Sequence, residues 1–94
     1  MKIEWSAAAL ADLDRFAGFL QERHPALSAI VAREIIAKAR VLSDHPLLGQ
    51  AMADRPEYRQ VVLRVLNAAY IFQYRIDGER LVMLRVSHGR EHRE

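Results

Sequence analysis

Apolar and polar positions along this chain recur first at a period of two, then near 3.6, and from about residue 58 onward at a period of two again. Ile3 and Trp5 alternate with Lys2 and Glu4, the rhythm of a half-buried strand. Ser6 stands before AAALADL as a helix N-cap, where its hydroxyl can accept a backbone N–H that the first turn leaves unpaired. Leu10, Leu13, Ala17 and Leu20 follow at helical spacing and Phe16 widens the stripe, so this face of a first helix is predicted to enter the core. Phe19 falls outside that arc, as a tolerated surface aromatic or as part of a contact surface. His24–Pro25 breaks the pattern, because a residue before proline avoids the helical region while proline itself suits a first helical turn. A second helix is predicted over about 25–42, with Val31, Ala32, Ile35, Ala39 and Leu42 on one face. Ile30, Ala37 and Val41 form a second apolar line, which a sheet beneath the hairpin or a partner could cover.

Residues 43–57 hold two prolines and a glycine among scattered charges without a sustained period, which reads as a loop with at most a turn of helix. Beyond it the chain is rich in Val, Ile, Tyr and Phe, broken at Asn67 and at Asp77–Gly78. Three strands are predicted, over about 59–66, 69–76 and 80–88, the last two joined by a tight turn at Asp77–Gly78, and such short connections imply antiparallel pairing. Alternation places Tyr70, Phe72, Tyr74 and Ile76 on one face, opposite Gln73 and Arg75. By the same rule Val82, Leu84, Val86 and His88 separate from Met83, Arg85 and Ser87. The helices can then cover one face while Arg64, Arg75 and Arg85 line the other, as solvated spacers or as a binding row. The fold class is α+β: a short N-terminal strand, an antiparallel helical hairpin, and three antiparallel strands packed against it. With 94 residues and no linker or repeat, residues 1–94 read as a single domain.

Composition narrows the function classes. Half the residues are apolar and 28% charged, too hydrophobic a balance for a disordered chain. There is no cysteine, so a disulfide framework and a thiolate metal site are both excluded and a reducing, cytoplasmic setting is the expectation. Acidic residues at 4, 12 and 14 interrupt the N-terminal apolar run before a signal sequence or a membrane span could form. The net charge of +2 is too small to demand a nucleic acid and suits a protein partner at least as well. Twelve of the fourteen basic residues are Arg, whose planar fork is favoured at interfaces.

Covalent catalysis finds no nucleophile with an ordered base: the serines at 6, 28, 43 and 87 lack a nucleophile elbow, and no glycine-rich phosphate loop occurs. His24 and His45 stand apart from each other and from His88 and His92, a poor metal set, so neither metal nor cofactor is expected. The segment SHGREHRE permits a different chemistry. His88, Arg90, His92 and Arg93 could supply proton transfer and phosphate neutralisation for RNA cleavage, where the 2′-hydroxyl is its own nucleophile; the same residues could equally be a frayed polar terminus.

WSAAALADL after a short first strand, the ERHP break, LSDHPLLG, YRQVVL, AAYIFQYRI and the terminal LRVSHGRE, in this order, resemble the RelE/ParE superfamily, the toxin halves of bacterial type II toxin–antitoxin pairs. The similarity spans essentially the whole chain. It implies two activities of different classes. RelE relatives are ribosome-dependent ribonucleases that cut messenger RNA with basic residues of the sheet and usually a tyrosine near the C-terminus. Here no tyrosine follows Tyr74, Ile71 stands where those enzymes often carry arginine, and there are only two lysines, so Arg64, Arg85, His88 and Arg90 are the catalytic candidates that remain. ParE-like members, which share the HGR ending, are implied to inhibit DNA gyrase through protein contact without catalysis, and Arg85, His88 and Arg90 are then the target-binding candidates. The resemblance also implies a cognate antitoxin, ParD-like or another small DNA-binding protein, that holds the toxin with a C-terminal segment and alone contacts DNA. Phe19, Ile30 and Val41 are its candidate sockets. A degenerate toxin that keeps only antitoxin binding is the third reading.

Overall fold

A computed structural model of the chain describes residues 1–92. The elements run β1 (Lys2–Trp5), α1 (Ala7–Leu20), α2 (Pro25–Ala39), α3 (Val41–Asp44), β2 (Gln50–Met52), β3 (Arg55–Val65), β4 (Ala68–Asp77) and β5 (Arg80–His88), followed by a 3-10 turn at Gly89–His92. The α+β architecture, with its N-terminal strand and helical hairpin against one sheet, is the expected one. The sheet has five strands, the predicted N-terminal strand and three antiparallel strands together with the unforeseen β2, in the order β1-β5-β4-β3-β2, with β1 parallel to β5 and the other pairs antiparallel.

Local chemistry sets the element ends. The Ser6 hydroxyl accepts the Ala9 N–H at 3.0 Å, the predicted cap, and also donates to the Leu84 carbonyl at 3.0 Å. Pro25 opens α2 at its first position, and Ser28 Oγ donates to the Ala17 carbonyl at 2.7 Å, tying the two helices near their hinge. The β3–β4 turn places both Leu66 (φ 51°) and Asn67 (φ 65°) in the left-handed region, the geometry of a two-residue hairpin that matches strand twist. Asn67 tolerates it, whereas a leucine there is held against its preference.

The core lies between the hairpin and one sheet face, where Leu13, Phe16, Val31, Ile35, Leu42, Phe72, Tyr74, Leu81, Met83 and Val86 are buried. Several expectations are corrected. Leu10 is 47% exposed, because α1 turns Ala9, Leu13 and Phe16 inward together with Asp12, which is only 2% exposed. The second helix ends at Ala39, and Leu42 reaches the core from the separate turn α3. The segment 43–57 contains the end of α3, all of β2 and the start of β3, since β3 runs four residues further back than predicted and needs an outer neighbour. In the β4–β5 turn Asp77 remains paired with Arg80, so Gly78 (φ 62°) and Glu79 are the turning residues.

The alternation along β5 is the most consequential correction. The register with β4 slips by one residue, Gln73 facing Arg85 while Tyr74 faces Met83, which leaves Leu84 as the extra residue of a bulge. Buried positions therefore change phase, Leu81 and Met83 on one side of the bulge and Val86 on the other, with Val82 and Leu84 only half-buried. The bulge lies where β1 stops. β1 covers β5 as far as Met83, and beyond that point α1 completes the edge: Ser6 N–H donates to the Met83 carbonyl at 3.0 Å, and the Val86 N–H donates to Asp12 Oδ2 at 2.8 Å. No helix among the described residues is long and apolar enough to cross a membrane.

Candidate functional site

The register keeps Arg85 opposite Gln73, on the sheet face of Arg64 and Arg75 as expected, but its guanidinium is drawn to α1 and away from that row. Its Nε donates to Asp12 Oδ2 at 2.9 Å and its Nη2 to Asp12 Oδ1 at 3.0 Å, a two-pronged clasp on a buried carboxylate. Arg15 adds a third cationic donor at 3.0 Å from Oδ1. Burial pushes the Asp12 carboxyl up, but the hydrogen bonds from Arg85, the Val86 N–H and Arg15 together outweigh it and hold the group below the ordinary carboxylate range. The Arg85 guanidinium is correspondingly raised, first by the hydrogen bond to Asp12.

Arg15 carries the network onward. It pairs with Glu91, whose other oxygen accepts the His88 N–H at 2.7 Å, and its guanidinium lies 4.8 Å from the centre of the Phe16 ring. Phe16, Tyr70 and His88 form an edge-to-face series, with ring centroids 5.2 Å apart for Phe16–Tyr70 and 5.1 Å for Tyr70–His88. His88 Nδ1 accepts the Arg90 N–H at 3.1 Å, which fixes the terminal turn on the ring. Burial, with the nearby Glu91 charge adding to it, pushes the Tyr70 hydroxyl above its usual range, so it stays protonated at neutral pH.

These residues border a groove of about 660 Å³ between the C-terminal half of α1, the start of α2, the β3–β4 turn and the terminal turn. Its walls are apolar, from Phe16, Phe19, Leu20, Leu27, Leu66 and Tyr70, and its polar rim includes Arg15, His88, Arg90 and Glu91. Phe19 is 69% exposed at the groove, with Arg23 lying 5.8 Å from its ring centre. The side chain of Arg90 has no acidic partner among the described residues. An apolar trough with a free cation at its lip suits an amphipathic protein segment with an acidic residue at one end.

The sequence-predicted residues are only partly brought together. His88, Arg90 and Phe19 share the groove. Arg64 does not: its Nη2 donates to the Asn67 carbonyl at 3.1 Å, and it lines a separate shallow hollow with Glu34 and Lys38. Arg85 is engaged with Asp12, and Arg75 with Asp77 at 3.6 Å. Ile30 is half-buried on α2 and Val41 packs against the core, and neither lines the groove. The side chain of His92, and Arg93 altogether, lie outside the described residues. Asp12, Arg15, Leu66, Tyr70 and Glu91 escaped the sequence reading as site residues. Asp12 alone left a trace, an acid placed three residues after Ala9 and four before Phe16, inside an apolar stripe. Among the described residues no three His, Asp or Glu side chains converge as a metal site would require.

Residues 3–93 match the family model for the ParE toxin of the type II toxin-antitoxin system parDE. The chain belongs to the ParE toxin family. Solved structures similar to this ParE-family chain include the chromosomal ParDE toxin–antitoxin system from P. aeruginosa, at TM-score 0.74 and 20% identity over 94% of this chain and 95% of that one, a likeness of fold. The toxin–antitoxin complex RelBE2 from Mycobacterium tuberculosis is similar at TM-score 0.57 and 25% identity, covering 93% of this chain and 95% of that one. No curated protein matches the chain. The ParE assignment agrees with the superfamily, and with the side of it, that the sequence resembles.

Proposed function

We propose that this ParE-family chain is the toxin of a type II toxin–antitoxin module, that it inhibits DNA gyrase in the cytoplasm through protein contact without catalysis, and that a cognate ParD-like antitoxin neutralises it. In this reading an apolar antitoxin segment fills the groove over Phe16, Phe19, Leu27 and Leu66, with a carboxylate against Arg90, and DNA is contacted only through the antitoxin.

The observation that carries it is the engagement of Arg85 by Asp12. Cutting RNA without a metal requires several cationic side chains converging on one phosphate beside a proton donor and a base. Of the four candidates for that work, Arg85 is spent on a buried carboxylate, Arg64 turns to a different hollow, and only His88 and Arg90 adjoin. Two groups, with His88 Nδ1 already accepting a backbone N–H, are a thin basis for acid–base catalysis. A surface that binds another protein needs no such convergence. The testing experiment is a pair of assays on one preparation. Added to a translating extract, the chain leaves ribosome-bound messages intact; added to gyrase and relaxed plasmid, it stalls supercoiling. Cut messages that vanish when Arg90 is replaced would establish the ribonuclease instead.

A further inference from the structure

The walls of the groove differ in what anchors them. Phe16 and Tyr70 belong to the buried core, and Leu20 and Leu66 pack against it. The terminal turn, Gly89–His92, closes the remaining side, and none of Gly89, Arg90 and Glu91 adds a side chain to that core. Polar contacts hold the turn instead. The Arg90 N–H donates to His88 Nδ1 at 3.1 Å. Glu91 reaches two elements at once, one carboxylate oxygen pairing with Arg15 of α1 and the other accepting the His88 N–H of β5 at 2.7 Å. The backbone beneath sits close to the start of β4, since a β-carbon at Gly89 would stand 3.1 Å from the Ala69 carbonyl oxygen.

An exposed ion pair ordinarily contributes little, because two long side chains must be ordered and water competes for both. Here each partner is ordered by something else. Arg15 is held by Asp12 Oδ1 at 3.0 Å and lies over the Phe16 ring, and Asp12 is itself fixed by Arg85 and the Val86 N–H. Glu91 is held by the backbone N–H of His88, the last residue of β5. The Arg15–Glu91 pair therefore closes a circuit that runs from α1 through Asp12 to β5 and returns through the terminal turn to α1. With no apolar anchor in its described side chains, the turn keeps its place as a wall only while that circuit is closed. A segment held by contacts of this kind opens locally at a small fraction of the global cost of unfolding.

We propose that Glu91 is a positioning residue of the groove: by joining Arg15 to the end of β5 it holds the terminal turn in place as a wall, keeps Arg90 at the lip, and so retains the antitoxin segment. This rests on the reading under Proposed function that the groove takes the antitoxin. The test compares the parent chain, Glu91→Ala and the conservative Glu91→Gln, whose amide oxygen can still accept the His88 N–H, with Phe19→Ser reporting on the groove itself. Melting temperature, amide exchange of the free chain at His88 and Arg90, and the association and dissociation rates of the antitoxin are read for each. Glu91→Ala is expected to melt within about 2 °C of the parent and to exchange about 10-fold faster or more at those two amides. It is expected to release antitoxin about 10-fold faster while associating within about threefold of the parent rate, with Glu91→Gln falling between the two. Unchanged exchange at His88 and Arg90 in Glu91→Ala overturns the proposal, because the turn is then held without Glu91. Faster exchange with an unaltered dissociation rate overturns it as well. If Phe19→Ser weakens antitoxin binding and Glu91→Ala does not, the groove reading stands and the role of Glu91 falls; if neither weakens it, the antitoxin lies elsewhere and both fall.

Discussion

Arg85 clasps Asp12 across 73 residues of chain, with both prongs of its guanidinium at 2.9 and 3.0 Å from a carboxylate that is 2% exposed. The contact joins α1 to β5 where β1 no longer covers that strand, so Asp12 acts as a side-chain substitute for a neighbouring strand. Replacing Asp12 by Ala strands the Val86 N–H and removes the acceptor of two arginines. The expected cost is about 3 kcal/mol, or roughly 12–20 °C in a domain of this size, read from thermal melts. Arg85→Ala, which leaves Asp12 with Arg15 and the Val86 N–H, should lower the melting temperature much less than Asp12→Ala does. If Arg85 instead contacts the target, its replacement lowers inhibition with an unchanged melting temperature.

The same carboxylate contributes to the acid limb of stability. Its folded-state pKa is depressed, so its contribution is complete above the unfolded value of about 3.9 and is lost as pH falls through the lower folded value. Urea titrations from pH 6 to pH 2 should show a decline beginning near pH 4 that is shallower in Asp12→Asn, the remainder coming from groups such as Asp77, which Arg80 also holds low. At the other extreme Tyr70 and Tyr74 are raised by burial, so stability should hold up to the unfolded value of about 10 and fall as pH climbs through the folded values.

Tyr74→Phe keeps the ring that fills the core and removes only the hydroxyl that bridges Pro46 and Gly49. Gly49 N–H is buried, so the loss should amount to about 1–2 kcal/mol, and amide exchange should accelerate at Leu48 and Gly49 before the rest of the sheet. Unchanged protection at those two amides would show that the turn is held by other means.

Phe19 belongs to the opposite case, a large side chain 69% exposed at the groove. Phe19→Ser should leave the melting temperature within about 2 °C of the parent and weaken antitoxin binding about 10-fold or more, as titration calorimetry would report. Ile30→Ser, at a half-buried position off the groove, should change antitoxin affinity much less.

How far the fold could be read in advance follows from how local its causes are. Ser6 before an apolar helix, Pro25 at a helix start and the Tyr70–Phe72–Tyr74 alternation are set by neighbours in sequence, and each appears where it was expected. The bulge at Leu84 was invisible because nothing within β5 marks it. It answers to the end of β1 and to Asp12, both more than seventy residues earlier. That non-local cause also misplaced Leu10, since α1 turns Asp12 inward, and it hid the partner of Arg85, whose face was the expected one but whose guanidinium goes to Asp12. The pairing of β1 with β5 had the same character, being fixed by a partner remote in the chain, whereas the short strand β2 pairs with the adjoining β3 and was missed because its three residues are too few to show a period. Within the groove, His88, Arg90 and Phe19 could be named from their residue types and positions, whereas Leu66 and Glu91 gave no signal. A leucine at a positive φ and a glutamate in a polar terminus acquire their places only once the hairpin and the final turn are folded.

The central claim is inhibition of gyrase by contact, and titrating purified chain into a supercoiling reaction tests it most directly. The account predicts that supercoiling falls as the toxin is added, that stoichiometric antitoxin restores it, and that Arg64→Ala, which alters no groove residue, inhibits like the parent. Supercoiling that proceeds unchanged at every toxin concentration, with a preparation that still binds its antitoxin, would contradict it.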